Sequence, residues 1–288
     1  MRKWLIALAL VLAMVSPSFA ALSVDNLIVQ GEYSYGKKDI EDINILNVGF
    51  GGFGASLTEV TSNVRLWQFL VNVGYKINDG LIPYAILGTG YLNFDQELKV
   101  NIPGHSIPIL LSEFRDSAAL VMGAGARGDL YKFNNGVTIG YDTRWITFNA
   151  ESDAEPMQVL PGYTDISLDN ETDISYGEFT IDLGVSKFFD LQKKEKLEDG
   201  TERITKPLAI VGITPYLGGR YSHVDLNYKN DISIFGGDVK IGTESETQAG
   251  MISGILGVDI KVNDRLNVRA GGVLGQESGC VVSVGWQF

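Results

Sequence analysis

The stretch Cys280-Val281-Val282-Ser283-Val284-Gly285-Trp286-Gln287-Phe288 closes the sequence and decides how the rest is read. Cys280, Val282, Val284, Trp286 and Phe288 are apolar at a period of two. Ser283, Gly285 and Gln287 fall between them and are small or polar, and Val281 is the one breach. A strand turns successive side chains to opposite faces, so this alternation predicts a strand lying between two different environments. A half-buried strand of a water-soluble protein would show the same pattern. The remainder of the chain has to separate the two.

Working outward, the 288 residues are 45% hydrophobic and 20% charged, a composition that folds rather than staying disordered. There are 34 glycines and 8 prolines, which suits closely approaching strands and tight turns. Arg2 and Lys3 precede an apolar run from Trp4 to Val15, too short to span a bilayer as a helix. Ser18-Phe19-Ala20 then fits a small-x-small cleavage site. Residues 1–20 are therefore expected to be a cleaved signal peptide, with residues 21–288 forming one domain. The net charge of −12 removes the basic footprint that nucleic acid requires. Cys280 is the only cysteine, so no intramolecular disulfide forms. After residue 20 no run of ~18 apolar residues follows, so any membrane crossing must be made by strands.

Strand-like alternation recurs along the chain, at 27–35, 64–77, 83–98, 118–131, 137–150, 175–189, 208–228, 244–262, 266–274 and 280–288. Tight turns are expected at Asn78-Asp79-Gly80, at 132–136 and at Asn263-Asp264-Arg265. Longer loops are expected near 100–115, 152–174 and 229–243. Residues 191–207 are long and charged, with Asp199-Gly200 at their centre, and read as a hairpin extending from the short-turn side. The segment 43–57 is either one strand or two folded at Gly51-Gly52. With an even count required for closure, the wall has ten strands if the segment 25–36 lies outside it, or twelve if 43–60 splits at Gly51-Gly52, and twelve is preferred because it leaves no strand-like stretch unused.

Charges sort strictly by parity. Leu120, Met122 and Ala124 oppose Arg127 and Asp129; Tyr141 and Trp145 oppose Asp142 and Arg144. Phe179, Ile181 and Leu183 oppose Glu178 and Asp182; Val268 and Ala270 oppose Arg269. A basic side chain on a lipid face at mid-bilayer costs ~2–4 kcal/mol, so a membrane predicts this sorting. The apolar stripes also end in aromatics (Trp67, Tyr75, Tyr141, Trp145, Trp286, Phe288), as interfacial girdles do.

The signal-like N-terminus, the alternating strands and the final stretch with Val282, Val284, Trp286 and Phe288 together resemble Gram-negative outer-membrane β-barrels of the OmpA, OmpW and opacity-like kind. The resemblance implies an all-β, transmembrane, antiparallel up-and-down barrel with short periplasmic turns and long external loops. It implies residence in the outer membrane among lipid and lipopolysaccharide. It also implies handling by periplasmic chaperones and the barrel assembly machinery, with the last strand as assembly signal. On this reading Arg127, Asp129, Asp142, Arg144, Glu178, Asp182, Arg220 and Arg269 point into the lumen and partly fill it. Arg127 and Asp142 are expected to face each other across the 132–136 turn.

Chemistry is sparse. His105 lies among Pro and Gly residues and reads as exposed. His223 and Asp225 share a strand face, whereas Ser222 points the other way and cannot pair locally with His223. The pair loosely resembles the His/Asp pair of the omptin proteases, in reversed order, with Asp95 and Glu97 the nearest match to a second acidic pair. Neither histidine begins the His-x-Ser motif of lipid A deacylases. Glu151, Asp153, Glu155, Asp165, Asp169, Glu171 and Asp173 could bridge divalent cations to lipopolysaccharide, but they have no calcium-loop spacing and read rather as a solvated, repelling surface. No metal or cofactor is expected. The expected function is a structural or narrow-pore role in the outer membrane, with a rim-active hydrolase as the alternative.

Overall fold

The computed structural model describes residues 23–40, 42–50, 53–102, 105–116, 118–159, 167–168, 172–196, 202–206, 210–234 and 239–288. The expected signal peptide lies outside them. A short 3-10 turn, Val24–Asn26, leads into β1 (Leu27–Lys38) and β2 (Asp42–Phe50). There follow β3 (Phe53–Tyr75), β4 (Ile82–Ile102), β5 (His105–Asp116), β6 (Ala119–Lys132) and β7 (Val137–Val159). Next come β8 (Ser167–Leu168), β9 (Thr172–Lys187), β10 (Phe189–Asp190), β11 (Lys193–Lys196) and β12 (Glu202–Lys206). The series ends with β13 (Gly212–Ile234), β14 (Val239–Lys261), β15 (Leu266–Gly275) and β16 (Glu277–Gln287).

Ten of these form a closed antiparallel ring in the order β1, β3, β4, β6, β7, β9, β13, β14, β15, β16 and back to β1. The final strand is the closure. It pairs with β1 from Ile28↔Gln287 to Lys38↔Glu277, and the Phe288 N–H donates to the Leu27 carbonyl at 3.1 Å. Closure leaves no unpaired edge facing lipid. β5 continues the line of β6 above it, pairing with β4 on one side and β7 on the other. β2 likewise continues β1 and pairs with β3.

The structure resolves the strand count to ten. The chain does double back where expected, with Phe50 opposite Phe53. Yet β2 extends the seat of β1 rather than taking a new one, so the fold at 51–52 adds height and not circumference.

The outer surface explains what the ring stands in. Every wall strand turns large apolar side chains outward, among them Tyr33, Phe69, Leu87, Met122, Trp145, Leu183, Leu217, Leu274 and Val282. Ile252 of β14 is 73% exposed. Such a continuous apolar belt on a closed sheet is stable only in lipid. β15 and β16, at 10 and 11 residues, are about as long as one tilted crossing requires. β3, β7, β13 and β14 have 23 residues each and stand well beyond it.

Along those long strands the two faces exchange character. On β13 the outward series runs Leu217, Tyr221, His223, Asp225, Asn227, Lys229, from apolar to polar. The inward series runs Tyr216, Arg220, Ser222 and then Val224, Leu226, Tyr228, from polar to apolar. On β4 the outward Leu87 and Tyr91 give way to Asp95, Glu97 and Lys99, while Leu92, Phe94 and Leu98 are buried inside. Below the exchange lipid lies outside. Above it water does, and the inner face becomes a conventional dry core.

This exchange corrects three sequence expectations. The stretch 101–113, expected as a loop, is mostly β5, and Pro108 is tolerated at the register shift between Leu98 and Lys99. The expected loop at 152–174 is strand as far as Val159, and that at 229–243 is strand as far as Ile234 and again from Val239. Strand pairing persists outside the membrane because the inner faces still bury apolar side chains there. Phe94 stacks on Phe114 with centroids 4.7 Å apart, and Tyr228 packs against both. Residues 191–207 contain β11 and β12, which pair in a two-stranded sheet apart from the wall.

Candidate functional site

The lumen at belt height is the chemically richest region. All eight charged residues expected there lie on inward positions, and seven of them, Arg127, Asp129, Asp142, Arg144, Glu178, Asp182 and Arg220, line a cavity of about 480 Å³ together with the eighth, Arg269. Arg127 and Asp142 are register partners, as their parity required.

What the sequence did not reveal is how far these side chains reach. Lys38 Nζ donates to Glu178 Oε1 at 2.8 Å and to Glu277 Oε1 at 2.9 Å, with Lys38 and Glu178 almost fully buried. Lys38 stands on β1 and Glu178 on β9, five seats apart in a ring of ten. The bond therefore spans the barrel. Arg144 of β7 reaches Glu32 of β1 at 2.8 Å, and Asn72 donates to the same carboxylate at 3.2 Å. Arg127 of β6 reaches Gln30 of β1 at 2.6 Å. Three rungs thus cross from inward positions of β1. Lys38, Glu32 and Gln30 were not singled out from sequence, although each sits on the inward parity of β1 and the first two are charged.

The carboxylates are multiply held. Glu178 accepts from Tyr176 Oη at 2.7 Å, and Glu277 accepts from Ser222 Oγ at 2.8 Å and lies 3.6 Å from Arg220. Arg220 makes two parallel bonds to Asp182, at 2.7 and 2.8 Å. Such two-pronged pairs fix geometry as well as charge. Directly above lie Val224, Leu226, Ile174 and Phe148, all buried in the apolar core. The lumen is therefore barred at belt height and filled above it.

Towards the short-turn end two similar clusters face the cavity. Arg269 stacks over Tyr216 at 5.4 Å and bonds Asp259 at 2.6 and 3.0 Å. Arg127 stacks over Tyr84 at 5.7 Å, but here the acid, Asp142, accepts from the Tyr84 hydroxyl at 2.5 Å. Glycines make room for both rings: a Cβ at Gly125 would overlap Tyr84, and one at Gly257 or Gly271 would overlap Tyr216.

The remaining sequence candidates lie elsewhere. His223 Nε2 is 3.5 Å from Asp225 Oδ1, so the pair does meet, but on the outer wall just above the lipid belt. Asp95 and Glu97 also face outward, on β4, four seats from β13, so the two pairs are not brought together. Ser222 points inward and is fully buried. His105 is exposed at the start of β5. Of the acidic residues at 151–173, Asp165, Asp169 and Glu171 fall outside the described residues, and no group of metal-ligating side chains forms among those described. Cys280 is on the exposed outer face. Val282, Val284, Trp286 and Phe288 share that face, with Ser283 buried on the lumen side.

A closed ten-strand ring, an apolar outer belt with aromatic ends, and a charged interior define an integral transmembrane β-barrel protein. No protein-family profile matches the chain, and no curated protein does. Solved structures similar to it include the translocator domain of the autotransporter NalP from Neisseria meningitidis, at 10% identity over 100% of this chain and 98% of that one, with a TM-score of 0.44. The outer membrane protein OprG from Pseudomonas aeruginosa is 11% identical over 91% of this chain and 95% of its own, with a TM-score of 0.32. The toluene transporter TbuX from Ralstonia pickettii is 10% identical over 91% and 90%, with a TM-score of 0.33.

Proposed function

We propose that this barrel has a structural or gated narrow-pore role and that its lumen is shut at rest. The observation that carries the reading is Lys38, which ties β1 to the opposite wall through Glu178 under a packed apolar core. A standing aqueous channel needs a continuous polar path, and the inward series of β13 turns apolar at Val224. Breaking the Lys38 rung would widen the belt-height cavity, which is how such a pore would open. The proposed setting is lipid and lipopolysaccharide outside the wall, with the assembly machinery reading the last strand. The proposed role is not catalytic: the His223–Asp225 pair lies four strands from Asp95 and Glu97, and the adjacent Ser222 is buried on the lumen side.

Planar-bilayer recording of the purified barrel tests this. Wild-type protein is expected to give no large, stable conductance steps, and Lys38→Ala to give more frequent or larger openings. Large, stable steps from the wild-type barrel would overturn the shut-lumen reading.

A further inference from the structure

We propose that the periplasmic mouth of the lumen is a binding site for a small oxyanion, a carboxylate or a phosphate, with Arg127 as its anchor. A cavity of about 330 Å³ opens at the short-turn end, and its lining includes Lys76, Arg127, Lys261 and Arg269. Asp79 pairs with Lys76, Asp264 with Lys261 and Asp259 with Arg269, which leaves Arg127, among the described residues, as the cation of this lining without a carboxylate on it. Of the four lumen guanidiniums, Arg144, Arg220 and Arg269 each hold a carboxylate partner. Arg127 holds only the neutral carboxamide of Gln30, because its register partner Asp142 is engaged by Tyr84.

Arg127 is also set in place before any ligand arrives. Its guanidinium lies over the Tyr84 ring, and Gln30 is itself fixed by donating to Ser283 Oγ at 2.7 Å. It lines both the mouth and the 480 Å³ cavity above, so it stands where one opens into the other. A planar fork of donors held in this way suits the two oxygens of an oxyanion. Ile28, Ile82 and Phe188 supply apolar wall beside it, room for a small organic body on the anion. The site stands whether or not the lumen conducts.

Isothermal titration calorimetry of the full mature barrel in zwitterionic detergent, at constant chloride, tests the proposal with sodium phosphate and separately with sodium benzoate. Saturable binding of either is expected, and which one binds identifies the headgroup. Arg127→Gln is expected to weaken it tenfold or more. Gln30→Glu, which places a carboxylate on the guanidinium while keeping the rung, is expected to do the same. Lys99→Gln, on the outer wall, is expected to leave it unchanged. Gel mobility without heating reports whether each variant is folded, and Gln30→Glu carries the test if Arg127→Gln is not. No saturable binding of either anion, or undiminished binding in a folded Arg127→Gln or Gln30→Glu barrel, overturns the site.

Discussion

Lys38 and Glu178 sit on diametrically opposed strands of the ring and are joined at 2.8 Å, with no more than 3% of either side chain exposed. One ammonium thereby bridges two carboxylates, Glu178 and Glu277, and Arg220 lies 3.6 Å from the second. Removing one partner of a buried pair strands the other charge, which costs about 3–5 kcal/mol. Lys38→Met should therefore lower the urea midpoint of the barrel in micelles markedly. The double variant with Glu178→Gln should recover part of the loss. If Lys38→Met unfolds like wild type, the rung does not hold the walls together.

The belt predicts opposite tolerances on neighbouring residues of β16. Val284 faces lipid and Ser283 faces the lumen. Val284→Arg should cost up to about 2–4 kcal/mol, the mid-bilayer maximum for a basic group on the lipid face. Val284→Leu should cost almost nothing. Folded fractions in lipid vesicles, read by gel mobility, check both, and equal folding of the two variants would place the belt elsewhere.

Phe114 tests the external core. It is fully buried and stacks on Phe94. Truncation to Ala should cost about 3–5 kcal/mol, as for a large aromatic in any packed interior. Phe69→Ala, 54% exposed on the belt, should cost less. Limited proteolysis should show the Phe114 variant opening in its external half while the belt stays resistant.

Two turn aspartates give a pH dependence with a definite sign. Asp79 is held below the usual carboxylate range by its hydrogen bond to Lys76 and that residue's charge, and Asp264 likewise by Lys261. A carboxyl depressed on folding adds stability above its unfolded pKa of ~4 and loses it as pH falls through the lower folded value. Both groups are exposed, so the contribution should be small and screened by salt. Stability curves of wild type and an Asp79→Asn, Asp264→Asn double variant should separate above pH 4 in low salt and converge below it. Curves that separate only on the acid side would reverse the sign.

Deleting Phe288 should slow assembly into the outer membrane, because its aromatic ring belongs to the belt and its N–H closes the ring onto Leu27. Normal insertion of the truncated chain, followed by cell fractionation, would remove the last strand's role as a signal.

Much of this barrel was legible from parity. The final nine residues proved to have Val282, Val284 and Trp286 outside and Ser283 inside, because a strand fixes side-chain direction residue by residue. The same rule placed all eight charged residues in the lumen and set Arg127 against Asp142. Parity could not say that the inner and outer solvents exchange along one strand. The stripe Ile86, Leu92, Phe94 therefore looks in sequence like a lipid face and is in fact the core. Nor could it give partners across the ring. Lys38 and Glu178 lie 140 residues apart, Arg144 and Glu32 are separated by 112, and only closure brings them within 3 Å. Local alternation needs only the pleat of one strand; the circumference, the height of the wall and the rungs depend on which strands meet, and that is decided when β16 finds β1.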